Sequence, residues 1–173
     1  MMQAAAPSGH KKEKIMFQEV ARTKQALSRA ESIELLKTTK RGVLSVIGDD
    51  GYPYGTPLNH WYCEADGKLY FHSGKTGHRP DALRTCSKAS FCVMDEGTPV
   101  EGAWWLQFRS VIVFGTIEVI EDQQQALEIA RKLSYKFTQD EAYIQHEIEH
   151  SGAGVLVFAL TIAHITGKRV TER

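Results

Sequence analysis

The sequence predicts a mainly β protein with peripheral helices, in which six strands close as a small antiparallel barrel. Three observations carry this. Two Asp-Gly turn signals, Asp50-Gly51 and Asp66-Gly67, punctuate runs of β-branched and aromatic residues. One long strand, Trp104 to Ile120, is apolar on both of its alternating faces. Helical periodicity is confined to segments that flank or join these runs. Residues 1–15 read as a disordered tail or expression remnant, and 16–173 as one domain.

In chain order, Phe17 to Lys40 reads as helical, with Ser28 and Glu31 forming an S-x-x-E capping box and Ile33 and Leu36 sharing a face. Gly42 to Ile47 (GVLSVI) is a buried strand. A second strand runs from about Tyr52 to Tyr62, where Pro53 and Pro57 restrict it to an edge or a bulge. A third strand ends at His72. These three are expected to form an antiparallel meander, which excludes a doubly wound parallel sheet for this half. A short helix follows at Pro80 to Thr85, then a strand at Ala89 to Met94.

In the long strand, Trp105, Val111, Val113, Ile117 and Val119 share one face, while Leu106, Phe108, Ile112, Phe114 and Ile120 share the other. One face needs a core; the other is expected to meet a second copy of the chain. Glu121 to Phe137 returns to helical period, with Ala126, Ile129, Ala130, Leu133 and Phe137 as its stripe. Glu141 to His150 is a further helix, ended by Ser151-Gly152, and Gly154 to Ile165 is the last strand.

The formal net charge is zero, which gives no electrostatic case for nucleic acid or an anionic membrane as partner. Cys63, Cys86 and Cys92 are odd in number and lack metal-ligand spacing. They read as buried thiols of a cytoplasmic protein.

The chemistry concentrates in GKLYFHSGKTGHRPDALR, residues 67–84. A strand ends at His72, a helix opens near Pro80, and Ser73-Gly74-Lys75-Thr76-Gly77-His78-Arg79 joins them. Pro80 suits a first helical position, where its missing N–H costs nothing. The loop therefore offers free backbone donors, a helix N-terminus and the cations Lys75, His78 and Arg79 to one point, as an anion requires. The same residues also suit an ordinary basic surface turn. Walker-loop and GxGxxG spacings are absent.

A second motif competes. His146-Glu147-Ile148-Glu149-His150 is a literal H-E-x-x-H, whose two histidines would share a helix face and bind zinc with Glu147 as base. Gly152 ends that helix at once, and His164 is the only later histidine to serve as a third ligand.

The runs RGVLSVIGDDGYPYGTPLNHWY, KLYFHSGKTGH and FRSVIVFG resemble the 5-nitroimidazole-resistance branch of the pyridoxamine 5'-phosphate oxidase-like flavoproteins, over roughly Phe17 to Lys168. The resemblance implies a six-stranded split barrel that forms a homodimer and binds FMN at the subunit interface. It places Thr56, Pro57, Leu58 and Asn59 beside the isoalloxazine ring. Phe71, His72, Ser73, Gly77 and His78 fall where the flavin edge and phosphate are held, with Lys75 and Arg79 as neighbouring charge. Ser110, after Arg109, falls where a polar side chain reaches the flavin from the other subunit. His72 becomes the candidate catalytic residue, beside the ring and able to hydrogen-bond or protonate a reduced substrate, or else a structural histidine. Arg109 would pair with phosphate across the interface or form a structural salt bridge. Trp61, Trp104 and Trp105 would stack on a planar ligand or pack in core and interface.

Two departures bear on substrate. The oxidases use an Arg-Lys pair on the FMN phosphate where this chain has Gly77-His78, and their lysine for the vitamin phosphate falls near Trp61. A small planar, uncharged substrate fits the resemblance better than a phosphorylated vitamin, with NAD(P)H as a possible reductant. The implied activity is reduction of a nitroaromatic or similar electrophile; the alternatives are a non-enzymatic flavin- or haem-binding module and, through the H-E-x-x-H segment, a zinc hydrolase.

Overall fold

The computed structural model describes residues 17–171, so the expected tail at 1–15 lies outside the described residues. The helical expectation for Phe17 to Lys40 holds only in its second half. Phe17 to Arg22 is irregular, a 3-10 turn spans Thr23–Gln25, and α1 runs Arg29–Thr38. The helix starts there because Ser28 Oγ accepts from the Glu31 amide at 3.2 Å while Glu31 Oε2 accepts from the Ser28 amide at 2.8 Å.

Strands β1 (Arg41–Ile47) and β2 (Pro53–Asn59) form a hairpin around Asp50 and Gly51, which both adopt positive φ (51° and 77°). β3 (Trp61–Cys63) and β4 (Lys68–Gly74) form a second hairpin. After α2 (His78–Thr85) come β5 (Lys88–Met94), the two-residue β6 (Thr98–Pro99) and β7 (Leu106–Val119). Helices α3 (Gln123–Ser134) and α4 (Glu141–Ser151) precede β8 (Val155–Thr171), which runs well past the expected end at Ile165. Each expected strand is present, the second broken in two and β6 added.

The meander does not form. The sheet order is β2-β1-β5-β7-β8-β4-β3, all neighbours antiparallel, with β6 on β7. The expected second strand breaks at His60, and its halves lie at opposite edges of the sheet. The two Asp-Gly turns fix local hairpins only; which strand β4 meets next is decided by burial, and it pairs with β8. The result is a sheet curled around its core with a seam at His60.

That seam is packed shut. The fully buried His60 ring points Nε2 at the Leu36 carbonyl, 2.7 Å away, at the end of α1. Its Nδ1 is buried without a partner, so the cheaper tautomer donates from Nε2 and leaves Nδ1 a bare lone pair. Lys136, just past α3, donates to the carbonyls of Leu36 and His60, at 3.1 Å each.

The core is aromatic at its centre. Phe71 stacks on Phe158 (5.3 Å) and meets Phe91 edge-on (5.0 Å), and all three are fully buried. Each ring contributes about 1.5–3 kcal/mol by burial, with about 0.5–1.5 more per aromatic pair. The two faces of β7 divide as expected: Val111, Val113 and Ile117 are buried, whereas Ile112 and Phe114 remain about two-fifths exposed. Gly115 sits at the β7–β8 bulge, where a Cβ would lie 2.2 Å from the Thr161 carbonyl oxygen. Among the described residues no helix is long and apolar enough to cross a membrane.

Candidate functional site

The end of β2, the end of β4 and the start of α2 converge beside the seam. Pro57, Leu58, Asn59, His72 and Arg41 line a cleft of about 350 Å³. Pro57 and Leu58 supply its apolar lining; Asn59 and His72 supply its polar groups. Arg41, facing Asn59 across the β1–β2 ladder, donates its Nε to Asn59 Oδ1 at 3.0 Å. Burial holds the His72 imidazole below the usual histidine range, so at neutral pH one ring nitrogen donates and the other accepts.

Helix α2 begins at His78, two residues before the expected start, so Pro80 takes the third position rather than the first. Pro80 still fits, because amides in that first turn have no intrahelical acceptor. The residue before the helix is Gly77, at φ 119°, a conformation that disfavours any side chain. No side chain caps this end, which leaves the first amides of α2 available to an incoming acceptor. Arg79 is fixed above them by its Nε, which donates to Thr56 Oγ1 at 3.0 Å. Lys75 is exposed in the same loop. His78 is not aimed at this point: its ring stacks on Tyr54 (4.0 Å) and its Nε2 lies 3.4 Å from Asp49 Oδ2. Ser73 turns its hydroxyl to the Gly74 carbonyl, and Phe71 supports the strand from inside the core.

Arg109 and Ser110 stand apart from this cleft within one chain. Arg109 donates from its amide and its Nε to the two Asp95 carboxylate oxygens, at 2.8 Å each, which is the structural salt bridge weighed above. Ser110 lines a groove with Arg22 and Lys168. Its strand β7 is three strand positions from β2, about 14 Å across the sheet at the usual spacing. The tryptophans divide: Trp61 packs on Tyr70 (5.5 Å), while Trp104 is 85% exposed against Trp105.

A family model described as pyridoxamine 5'-phosphate oxidase matches residues 28–169. The chain belongs to that family. Solved structures agree on the fold. A candidate 5-nitroimidazole antibiotic resistance protein from Bacteroides thetaiotaomicron superposes with a TM-score of 0.70 at 18% identity, covering 95% of this chain and 97% of that one. A FAD-binding protein from Mesorhizobium loti gives 0.61 at 23% identity, covering 84% and 97%. A FAD- and haem-binding protein from Mycobacterium smegmatis gives 0.67 at 24%, covering 84% and 72%. No curated protein matches the chain. The split barrel expected from the sequence is therefore the fold of this family member.

Within the family frame, the donor set at α2 suits a phosphate: uncapped amides, a fixed guanidinium and a free lysine, with glycine where a side chain would be strained. The H-E-x-x-H segment has no comparable setting. His146 and His150 lie on the exposed side of α4, with His150 Nδ1 2.8 Å from the His146 carbonyl oxygen. Among the described residues no group of three His, Cys, Asp or Glu side chains is placed to hold a metal. His164, the possible third ligand, is stacked under Phe17 in β8 (4.9 Å). Arg41 and the His60–Lys136 pair went unnoticed in the sequence, although Arg41 opens β1 directly opposite Asn59 in a hairpin whose turn was legible.

Proposed function

We propose that the chain is a flavoprotein that binds FMN at the interface of a homodimer and reduces a small planar electrophile, such as a nitroaromatic, with electrons from NAD(P)H. The observation that carries this reading is the convergence of a partly apolar cleft, lined by Pro57, Leu58, Asn59 and His72, with the uncapped start of α2 under Arg79. Flavin-binding relatives with the same fold support it. When bound, FMN supplies the hydride and electron chemistry.

The protein's own part is binding, orientation and proton handling. Arg79, Lys75 and the amides at the start of α2 hold the phosphate. Thr56, already engaged by Arg79, links that charge to β2. Pro57 and Leu58 press on the ring, and Asn59 and the neutral His72 hydrogen-bond its edge or the substrate. Phe71, Ser73, Gly77 and His78 set the backbone path of this segment. The outward face of β1, β5 and β7, where Val43, Met94, Ile112 and Phe114 are exposed, is the dimer surface that brings Ser110 and Arg109 toward the second copy's cleft. The cysteines are not the buried thiols expected, since Cys63 and Cys86 are half-buried and Cys92 is exposed; as free thiols they fit a cytoplasmic location.

The test is a visible absorption spectrum before and after adding FMN, then NAD(P)H, then a nitroaromatic. Uptake of FMN, bleaching by nicotinamide and recovery with the nitroaromatic are expected. A second reading, a non-enzymatic flavin- or haem-binding module, is favoured by the haem-binding relative. A flavin spectrum that does not bleach, or a haem band, would establish it instead. Protein that stays colourless in excess FMN would overturn both.

A further inference from the structure

Arg41 stands where two clefts meet. It lines the 350 Å³ cleft with His72, and also a larger one of about 750 Å³ bounded by Thr38, Thr39, Met94, Asp95 and Phe137. Its Nε is committed to Asn59 Oδ1, which fixes the plane of the guanidinium. The described residues give it no carboxylate within ion-pair distance, unlike Arg84, Arg109, Arg131 and Arg169, which each have one. Two acids line the larger cleft, Asp95, which is already taken by Arg109, and Glu96, which lies beyond ion-pair distance of Arg41. The smaller cleft contains no acidic side chain. His72 there is held neutral by burial, so Arg41 is the one fixed charge in that lining.

We propose that Arg41 is a specificity-determining residue that selects substrates carrying a carboxylate or similar small anion on a planar apolar body. This rests on the proposed function and departs from it in one respect: the uncharged substrate expected from the sequence is replaced by an anionic one. The chemistry of the lining makes the case. Pro57 and Leu58 offer an apolar wall at one end, and a guanidinium held at its Nε offers both terminal NH₂ groups at the other. That fork matches a carboxylate in two parallel hydrogen bonds. Because Asn59 already holds the side chain, less rotamer freedom is lost when the anion arrives. With the smaller cleft given to the flavin ring, Arg41, which lines both clefts, meets the anion of a substrate that lies toward the larger one of about 750 Å³. Position along β2 separates this charge from the phosphate end of the site. Thr56, which holds Arg79, and Asn59, which holds Arg41, are three residues apart, about 10 Å along a strand.

The experiment compares two near-isosteric probes, 4-nitrobenzoate and 4-nitrobenzamide, titrated calorimetrically into the full chain with and without FMN. The parent is expected to bind the benzoate at least tenfold more tightly than the amide. Arg41→Gln is expected to bring the two within about twofold of each other by removing the charged fork, while Arg41→Lys retains part of the preference as a point charge. Asn59→Ala, which frees the guanidinium without removing it, is expected to narrow the preference without abolishing it. Equal affinities in the parent, or a preference that survives in Arg41→Gln, would overturn the assignment. So would a parent dimer that Arg41→Gln splits in light scattering, since Arg41 would then serve the interface rather than a ligand. A protein that takes up FMN yet shows no charge preference loses only this inference. One that prefers the benzoate but never takes up FMN loses the flavoprotein reading and keeps the anion site.

Discussion

β2 and β3 are the two halves of one sequence run, Pro53 to Cys63, parted by a single residue, and they have opposite environments. β2 alternates between exposed and half-buried positions, and its outer edge lines the cleft beside His72. β3 buries Tyr62, stacks Trp61 on Tyr70 and is overlaid by Lys132 of α3 (5.8 Å from the Trp61 ring). The edge overlaid by α3 is packed, and the edge reached only by the first turn of α2 is available to a ligand. The candidate site and the scaffold are the two edges of the same sheet, and what distinguishes them is how far a helix covers the edge.

The largest effect that sharpens this contrast lies on the packed side. Phe158→Ala is expected to cost about 3–5 kcal/mol in urea unfolding, because the cavity it leaves sits among Phe71 and Phe91. Pro57→Ala on the open edge should stay within about 0.5 kcal/mol of the parent. Comparable losses at both positions would mean that the open edge is as tightly packed as the closed one.

The seam is next. Burial, then the charge of Lys136, pushes His60 down to about 3. The unfolded chain therefore binds this proton near pH 6.5 while the folded chain refuses it. Stability should fall as pH drops from 6.5 toward 3, by an amount on the order of 5 kcal/mol over the whole window. His60→Gln should remove most of that slope. Burial also pushes Lys136 down to about 8, against an ordinary value of 10.5, so stability should rise modestly as pH climbs through that window. Chemical denaturation across pH reads both; an identical acid slope in His60→Gln would break the assignment.

On the open edge the expected effect is on ligand rather than on folding. Arg79→Met, His72→Trp and Ser110→Trp should each weaken FMN binding about tenfold or more, roughly 1.4 kcal/mol, with the ligand-free melting temperature little changed. Flavin fluorescence quenching measures it. Retention of FMN by all three at parental affinity would put the site elsewhere. Smallest is the cap: Ser28→Ala should cost about 1 kcal/mol, because both halves of its box are formed.

Local patterns in the sequence were good guides wherever the interaction is local. The Ser28–Glu31 box, the hairpins at Asp50-Gly51 and Asp66-Gly67 and the alternation of β7 appear as read, and so does the stripe of α3 through Leu133; the helix stops at Ser134, so Phe137, expected to close the stripe, lies beyond it and is exposed. What was not legible depends on partners far along the chain. The break at His60 looks like continuous strand, since Leu58 to Tyr62 is as β-prone as its neighbours; only the pull of β4 and β8 on one side and β1 on the other divides it. The same holds for the site. Residues 71–79 read as a candidate anion-binding turn through glycine and charge, whereas Arg41 becomes a cleft residue only through its cross-strand neighbour Asn59. His78 reads as a free cation and is instead spent on Tyr54 and Asp49, a contact between segments some 24 to 29 residues apart that no local rule supplies.

The placement of β2 and β3 at opposite margins has a consequence for alignment errors. An edge strand ordinarily slips by one residue at little cost when its outer side is unpartnered, and a one-residue slip turns every side chain to the wrong face. Here the two margins are tied through one residue, His60. Sliding β2 along β1 would drag β3 along β4 in the same motion, and would pull the His60 carbonyl from Lys136. The most error-prone strands of the sheet therefore proofread each other, and the open edge can stay thinly covered without losing its alignment.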